Sequence, residues 1–251
     1  MREKRGQVAI FVIVALLLMG AIVLFFVLRT GPTLTVGQEF ETQAFLGQCL
    51  RPEIQKTIDD LLANGGFAEP KDTTLYQDKK IVYLCKNINY YQPCVMQHPR
   101  YIEEVRLELQ EQLMDDIENC FNLLGEELTT RGFTRSSGDF TYEAVSKPGI
   151  VELEIMQNLT ISKDGLSQSY EKFIIISRSP FYDLISVAHE IARQEAQFCY
   201  FENLGYSLLY RDIEIKKDVK SDSTKIYTLE HKETGKELMI AIRGCAIPAG
   251  F

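Results

Sequence analysis

Residues 101–128 read YIEEVRLELQEQLMDDIENCFNLLGEEL, and they contain the clearest amphipathic pattern of the chain. Apolar residues recur there at steps of three or four positions: Ile102, Val105, Leu109, Leu113, Ile117, Cys120, Leu124 and Leu128. This spacing places them on one face of an α-helix. Pro99 suits the first turn of a helix and Gly132 suits the residue after its end, so the pattern predicts one long helix between them.

A period-two pattern follows this helix and predicts a β-hairpin. Apolar residues alternate with mostly polar ones at Val151, Leu153, Ile155, Leu159 and Ile161. Such alternation is typical of a strand with one buried face. Lys163-Asp164-Gly165 is a turn signal, and residues 168–178 resume as a second strand with three isoleucines at its centre.

Further helices and strands are predicted on both sides of this central region. Phe40 to Leu61 shows near-helical spacing, in which Pro52 is expected to kink the helix or to start a second one after a break. Residues 79–86 read as a strand and 87–99 as a loop. The later segments are a helix at 182–200 and strands at 213–219, 224–230 and 237–243. The sequence therefore predicts an α+β domain of long amphipathic helices and antiparallel strands, with a candidate subdivision near residues 180–205.

The N-terminal region contains a candidate membrane anchor. Residues 8–28 read VAIFVIVALLLMGAIVLFFVL, without charge or proline. At about 1.5 Å per residue this run spans roughly 31 Å as a helix, the thickness of a bilayer core. It is longer than the apolar core of a cleaved signal peptide, and no small-residue cleavage site follows it, which favours a retained transmembrane helix.

Charges on either side of this run predict its orientation. Arg2, Lys4 and Arg5 precede it closely, and only Arg29 follows it. The positive-inside rule then places the N-terminus in the cytoplasm. The predicted organisation is a cytoplasmic basic tail (1–7), a transmembrane helix (8–28) in membrane lipid, a linker (29–37) and an exported domain (38–251) on the cell surface.

The exported part is acidic. The whole chain has a net charge of −8, while its first five residues have +2 and residues 6–28 none, so the remainder has −10. Binding to nucleic acid through the phosphate backbone needs a basic face, so the composition argues against a nucleic-acid partner.

Six cysteines predict disulfide bonds in an oxidising compartment: Cys49, Cys85, Cys94, Cys120, Cys199 and Cys245. Cys85 and Cys94 flank most of the loop at 87–99, so a bridge between them would pin that loop. Cys120 lies on the apolar stripe and faces a neighbour, for which Cys49 is a candidate. A Cys199–Cys245 bridge would tie the end of the chain to the preceding helix. Six cysteines allow many pairings, and only Cys85–Cys94 is supported by its spacing.

No catalytic or metal-binding motif is complete, so the sequence predicts no enzyme and no cofactor. His189-Glu190 matches the start of the zinc-protease helix motif, but Arg193 occupies the position of the second histidine. His98 lies near two cysteines, although their spacing favours a disulfide over a zinc site. The third histidine is His231, and no nucleophile motif or phosphate-binding glycine loop occurs.

Two surface features remain as candidate sites. Asn158-Leu159-Thr160 is an N-glycosylation sequon. Tyr90 and Tyr91 are adjacent in the loop between Cys85 and Cys94, where they suit contact with a protein or a glycan. Packing of the same loop onto the domain is the alternative interpretation.

Several segments together resemble a family of uncharacterised archaeal membrane-anchored proteins from small-genome lineages. They are Arg5-Gly6-Gln7 with the apolar run, Cys49-Leu50, YLCKNINYYQPCVMQHP at 83–99 and IRGCAIPAG at 242–250. The first is similar to the junction of archaeal type IV pilin-like signals, which are cut between residues equivalent to Gly6 and Gln7. Phe11 stands where pilins usually have a glutamate. The resemblance implies an exported α+β domain on a pilin-like anchor, and it implies no activity.

These observations predict a single-pass, cell-surface protein of structural or binding type. Its expected partners are membrane lipid, through residues 8–28, and other surface proteins or glycans. Two alternatives stay open at this point: a pilin-like filament subunit processed after Gly6, and a membrane-tethered extracellular enzyme.

Overall fold

The computed structural model describes residues 18–20 and 41–248. The helices of the domain are α1 (Thr42–Ala63), α2 (Tyr101–Gln112), α3 (Met114–Thr130), α4 (Phe181–Phe198) and α5 (Asn203–Leu209). The strands are β1 (Thr73–Tyr76), β2 (Lys79–Lys86), β3 (Val95–Met96), β4 (Thr134–Lys147), β5 (Ile150–Lys163), β6 (Leu166–Arg178), β7 (Ile213–Val219), β8 (Lys225–His231) and β9 (Glu237–Arg243). The domain is therefore α+β with mostly antiparallel strands.

Contacts divide the chain into two units, Met1–Glu41 and Thr42–Phe251. In the first unit the helical residues 18–20 are described, and the rest of the predicted anchor at 8–28 lies outside the described residues. Among residues 18–20 and 41–248, no helix has both the length and the hydropathy that a bilayer span requires. The second unit contains all the elements named above.

Five strands form a curled sheet in the order β1-β2-β9-β8-β7, and β3 pairs with β2. The pair β2–β9 is parallel and the others are antiparallel. The Tyr76 hydroxyl in β1 donates to Asp218 in β7 at 2.7 Å, and Lys220 donates to Thr74 at 2.6 Å. In a flat sheet these outer strands would lie roughly 19 Å apart, at about 4.8 Å per strand. The sheet must therefore curl enough for side chains at its two outer strands to form hydrogen bonds.

The second sheet is the antiparallel meander β4-β5-β6. The alternating apolar residues predicted in β5 are all buried, which confirms the period-two interpretation. Asp164 and Gly165 have φ values of 52° and 81° at the turn between β5 and β6. Positive φ at both central residues is typical of the tight hairpin turns that match strand twist, and glycine adopts it without strain.

Helix side chains cover both outer edges of this meander. Along β6, Gln43, Arg51 and Gln55 of α1 donate to the backbone carbonyls of Ile174, Ile176 and Arg178, respectively. Along β4, Arg106 and Gln110 of α2 donate to the carbonyls of Ala144 and Tyr142. An uncovered edge strand offers its carbonyls to any other extended chain. Here the helices satisfy alternate carbonyls with side-chain donors, so the meander stays three-stranded.

The helix predictions are wrong in part. Pro52 lies inside α1, which continues as one helix to Ala63, so the alternative of a second helix start is wrong. The long helix begins at Tyr101 rather than Pro99, and it divides into α2 and α3 at Leu113. Leu113 keeps right-handed helical angles, so the apolar stripe continues across the division and is buried from Val105 onward.

The strand predictions differ from the structure at several places. The loop predicted at 87–99 contains the short strand β3, and the strand predicted at 224–230 is Lys225–His231. Three elements had no predicted counterpart: β1, β4 and α5. Residues 134–147 are mostly exposed and polar, so their strand character depends on pairing with β5 rather than on a local pattern.

Candidate binding loop

The six cysteines form three disulfide bonds. Cα–Cα distances are 5.9 Å for Cys49–Cys120, 5.4 Å for Cys85–Cys94 and 5.8 Å for Cys199–Cys245. The first links α1 to α3, and the last links the end of α4 to the segment after β9. The disulfide prediction is confirmed, and the structure adds the two pairings that spacing alone did not fix.

The contact loop, defined here as residues 87–98, begins just after Cys85 and rests on the C-terminal segment. Its disulfide is buried, since Cys85 and Cys94 are at most 5% exposed. A methyl group on Gly244 would lie 2.9 Å from the Cys94 nitrogen and 3.0 Å from its Cβ. Only a glycine lets the segment after β9 lie this close to the disulfide.

Side chains inside the loop hold its backbone in one conformation. The Asn87 amide donates to the Pro93 carbonyl at 2.7 Å, and the Asn87 side-chain oxygen accepts from the Asn89 N–H at 3.1 Å. The Asn89 side chain donates to Gln92 at 3.2 Å. Asparagine side chains commonly stabilise turns in this way by bonding to nearby backbone groups.

Backbone hydrogen bonds join the contact loop to the segment after β9. The N–H of Tyr91 donates to the Ala246 carbonyl at 3.0 Å, and the N–H of Cys245 donates to the Gln92 carbonyl at 2.7 Å. Since Cys245 is bonded to Cys199, the loop, the C-terminal segment and α4 form one cross-linked unit. Tyr91 has a positive φ of 61°, a conformation that a tyrosine keeps only where its surroundings fix it.

Four large side chains project from this fixed backbone into solvent. They are Ile88, Tyr90, Tyr91 and Val95, of which Ile88 is 79% and Tyr91 64% exposed. The Arg243 guanidinium lies 5.6 Å from the centre of the Tyr90 ring, and the two tyrosine rings are 6.4 Å apart. The loop backbone thus packs onto the C-terminal segment while these side chains are exposed, so the structure combines features of both interpretations of the loop.

The three histidines lie on different elements. His98, at the end of the contact loop, is 2.6 Å from Glu104 through Nδ1, and its ring centre is 4.5 Å from that of Phe67. His231 contacts Thr234 in the β8–β9 hairpin. Within residues 41–248, no group of three or more His, Cys, Asp or Glu side chains is arranged to hold a metal ion.

His189 lies on α4 beside an ion pair. Partial burial, and next the charge of Arg193, hold the pKa of the His189 imidazole below its usual value. Arg193 lies 3.2 Å from Glu190, so the residues that resembled a zinc-protease motif form an ordinary helix-surface pair.

A buried charged cluster next to the Cys199–Cys245 bond escaped the sequence analysis. Glu195 of α4 is fully buried; Lys225 approaches it at 2.5 Å, and Tyr227 donates a hydrogen bond to its other oxygen. Lys225 also donates to the Cys199 carbonyl at 2.7 Å. Burial, together with the bond to Glu195, raises the pKa of the Tyr227 hydroxyl. The signal in the sequence was a glutamate four positions after Ile191, on the apolar face of α4.

The remaining predicted sites are the glycosylation candidate and the processing junction. Asn158 is exposed on β5, where the register with both neighbouring strands shifts, so its side chain is open to solvent. Gly6 and Gln7 lie outside the described residues. A shallow recess of about 230 Å³ lies between Asn64, Lys79 and Glu237, below the roughly 300–1,000 Å³ of typical ligand pockets.

No protein-family model, curated protein or solved structure matches this chain. The contact loop offers apolar and aromatic side chains on a fixed backbone, an arrangement that suits binding to another surface.

Proposed function

We propose that the chain is a membrane-anchored cell-surface protein of structural or binding type, and that its exported domain binds a protein or glycan partner through the contact loop. The observation that supports this most strongly is the exposure of Ile88, Tyr90, Tyr91 and Val95 on a backbone closed by a disulfide. Tyrosine is enriched among the residues that contribute most to binding energy at interfaces.

The rigidity of the loop supports the proposed binding, in addition to its composition. Ordering a flexible loop on association costs about 0.5–1.5 kcal/mol for each immobilised side chain. Here the Cys85–Cys94 bond and the hydrogen bonds of Asn87 and Asn89 order the backbone before any partner arrives. More of the contact energy then remains available for affinity.

The proposed location rests on the sequence of residues 8–28 and on the disulfides. Three disulfide bonds persist in oxidising compartments and are rare in the cytosol. An uncharged run of 21 residues with basic residues before it favours an anchored domain on the outer side of the membrane. Protease added to intact cells should digest the domain, and complete protection of residues 42–248 would refute this location.

The contact loop is tested by surface cross-linking and quantitative mass spectrometry of captured molecules. We compare the wild-type chain with Tyr90→Ala/Tyr91→Ala and with the control Leu75→Ala/Leu166→Ala, which removes two apolar side chains elsewhere that are at least as exposed. Wild type and control should capture the same partner, and the tyrosine variant should lose it. The proposal fails if all three chains capture the same set or if wild type captures nothing specific.

A pilin-like filament subunit is the second candidate function, and it rests on Arg5-Gly6-Gln7 directly before the apolar run. In this case a peptidase would remove the first six residues and the apolar helix would pack into a filament core. N-terminal sequencing of protein purified from membranes separates the two candidates. Gln7 as the first residue would support processing, whereas Met1 as the first residue would exclude it.

A further inference from the structure

Helix α5 and its flanks expose a second group of large apolar side chains, far more than a surface helix normally does. Leu204, Leu208 and Leu209 are 74%, 76% and 80% exposed, respectively. Three aromatic residues of the flanking segments are also exposed: Phe198, Tyr200 and Tyr210. We call these six residues the leucine patch. Grouped exposed apolar side chains of this kind are typical of an interaction site.

The orientation of α5 is fixed by contacts on its inner side. The Tyr206 ring packs 5.2 Å from that of Phe201, which is fully buried. Glu202 accepts hydrogen bonds from the N–H groups of Leu204 and Gly205 and so caps the helix. Because Tyr206 faces inward, Leu204 and Leu208, four positions apart, share the outward face.

Basic side chains border the leucine patch. Arg211 directly follows Tyr210 and is exposed, and Lys217 lies 5.3 Å from the Tyr200 ring centre. Two acidic residues lie in the same segment: Glu202 is engaged by the Tyr200 hydroxyl and by the helix cap, and Asp212, directly after Arg211, is exposed. Leucines flanked by tyrosine, lysine and arginine are typical of segments that lie in a membrane interface.

We propose that the leucine patch inserts into the surface of the lipid bilayer that holds the anchor. This inference rests on the proposed membrane location. Thirteen residues, 29–41, separate the candidate anchor from α1, and an extended chain of that length reaches at most about 45 Å. A compact domain of the size of residues 42–248 has a radius of gyration of about 17 Å and hence a diameter near 43 Å. Chain length therefore does not prevent a face of the domain from reaching the bilayer.

A second copy of the chain fits the leucine patch less well than lipid does. A stable protein interface buries about 800 Å² on each partner, over 20–30 residues. Helix α5 has seven residues and is only about 10 Å long. Lipid needs no complementary surface, since each leucine enters the acyl region independently.

The absence of tryptophan from the chain allows a direct test. We introduce a single tryptophan into the full chain as Leu208→Trp, as Leu209→Trp or, for control, as Leu166→Trp, at a residue of the β5–β6 hairpin that is 64% exposed. Each protein is reconstituted into phosphatidylcholine vesicles with or without brominated acyl chains. Flotation reports whether the chain is anchored, and quenching by bromine reports contact with the acyl region.

We expect all three proteins to float, and the patch tryptophans to be quenched at least about two-fold more strongly than the control, as for a face buried 5–10 Å into the acyl boundary. Flotation with equal quenching at positions 208 and 166 would overturn the patch inference and leave the anchor intact. A blue shift at 208 without bromine quenching would indicate self-association and would also overturn it. Failure to float would refute both the anchor and the lipid contact.

Discussion

Removing the disulfide of the contact loop should disorder the loop, while lowering the stability of the domain less than removal of another disulfide does. The variant is Cys85→Ala/Cys94→Ala, and the comparison is Cys49→Ala/Cys120→Ala. Cys85, Cys94 and Cys120 are buried and Cys49 is half-buried, so the two variants differ in lost packing by one partly exposed side chain. The two bonds differ mainly in the length of chain that they close.

The magnitude follows from the sequence separations, which are 9, 46 and 71 residues for Cys85–Cys94, Cys199–Cys245 and Cys49–Cys120. The loop-closure relation assigns them about 2.6, 4.0 and 4.4 kcal/mol of unfolding free energy, respectively. Loss of the contact-loop bond should therefore cost about 1.8 kcal/mol less than loss of the bond between α1 and α3.

Two measurements check this expectation. Urea denaturation followed by circular dichroism gives the unfolding free energy, and it suits a chain without tryptophan. Hydrogen exchange of the peptide spanning residues 87–98 reports local order. In Cys85→Ala/Cys94→Ala we expect fast exchange at Tyr91 and Gln97, whose N–H groups donate to Ala246 and Leu84, while in the comparison variant the loop should keep its protection under native conditions.

The reasoning would be refuted if the two variants lost the same free energy, or if exchange in the loop stayed slow without its disulfide. Slow exchange would mean that the hydrogen bonds of the asparagines and of the C-terminal segment order the loop without the disulfide. Pre-organisation by the disulfide would then contribute nothing to partner affinity.

Three further predictions concern other parts of the domain. Gln55→Ala should cost about 1 kcal/mol in urea denaturation, because it exposes the Arg178 carbonyl at the β6 edge; an unchanged midpoint would contradict edge covering. Glu195→Ala should cost about 3–5 kcal/mol, because Lys225 loses its buried partner. The double variant Glu195→Ala/Lys225→Met should recover part of this loss. Equal losses in the single and the double variant would argue against the ion pair. The lowered pKa of His189 favours the neutral ring in the folded state, so its contribution to stability is complete above about pH 6.5 and is lost as the pH falls through the lowered value. His189→Gln should make stability depend less on pH in this range. An unchanged pH dependence would show that another group causes it.

The sequence predicted those elements whose own residues repeat with a helical or strand period. The apolar stripe from Val105 to Leu128 and the alternation in β5 are such patterns, and both faces are buried as expected. Helix α5 shows why the rest was missed. Its leucines face solvent, so the helix has no buried stripe from which its existence or orientation could be read.

The contact loop was recognised for a different reason. Cys85 and Cys94 are close in sequence, so their bridge could be expected from spacing alone, whereas exposure of the tyrosines between them was one of two interpretations. The rest of the loop's support comes from Asn87, Gly244 and Ala246, which lie up to 159 positions apart in the chain. Local propensity contains no information about such pairs.

By itself, the sequence determined the α+β class, the buried faces of the long elements and the disulfide-closed loop, because each depends on residues within a few turns or strand repeats of one another. Tertiary structure alone decided the parallel pairing of β2 with β9, the curling that joins β1 to β7, the helix donors along the edges of the meander and the outward direction of the α5 leucines. These features depend on hydrogen bonds and packing between distant segments, whose free energy arises only once the whole domain has folded.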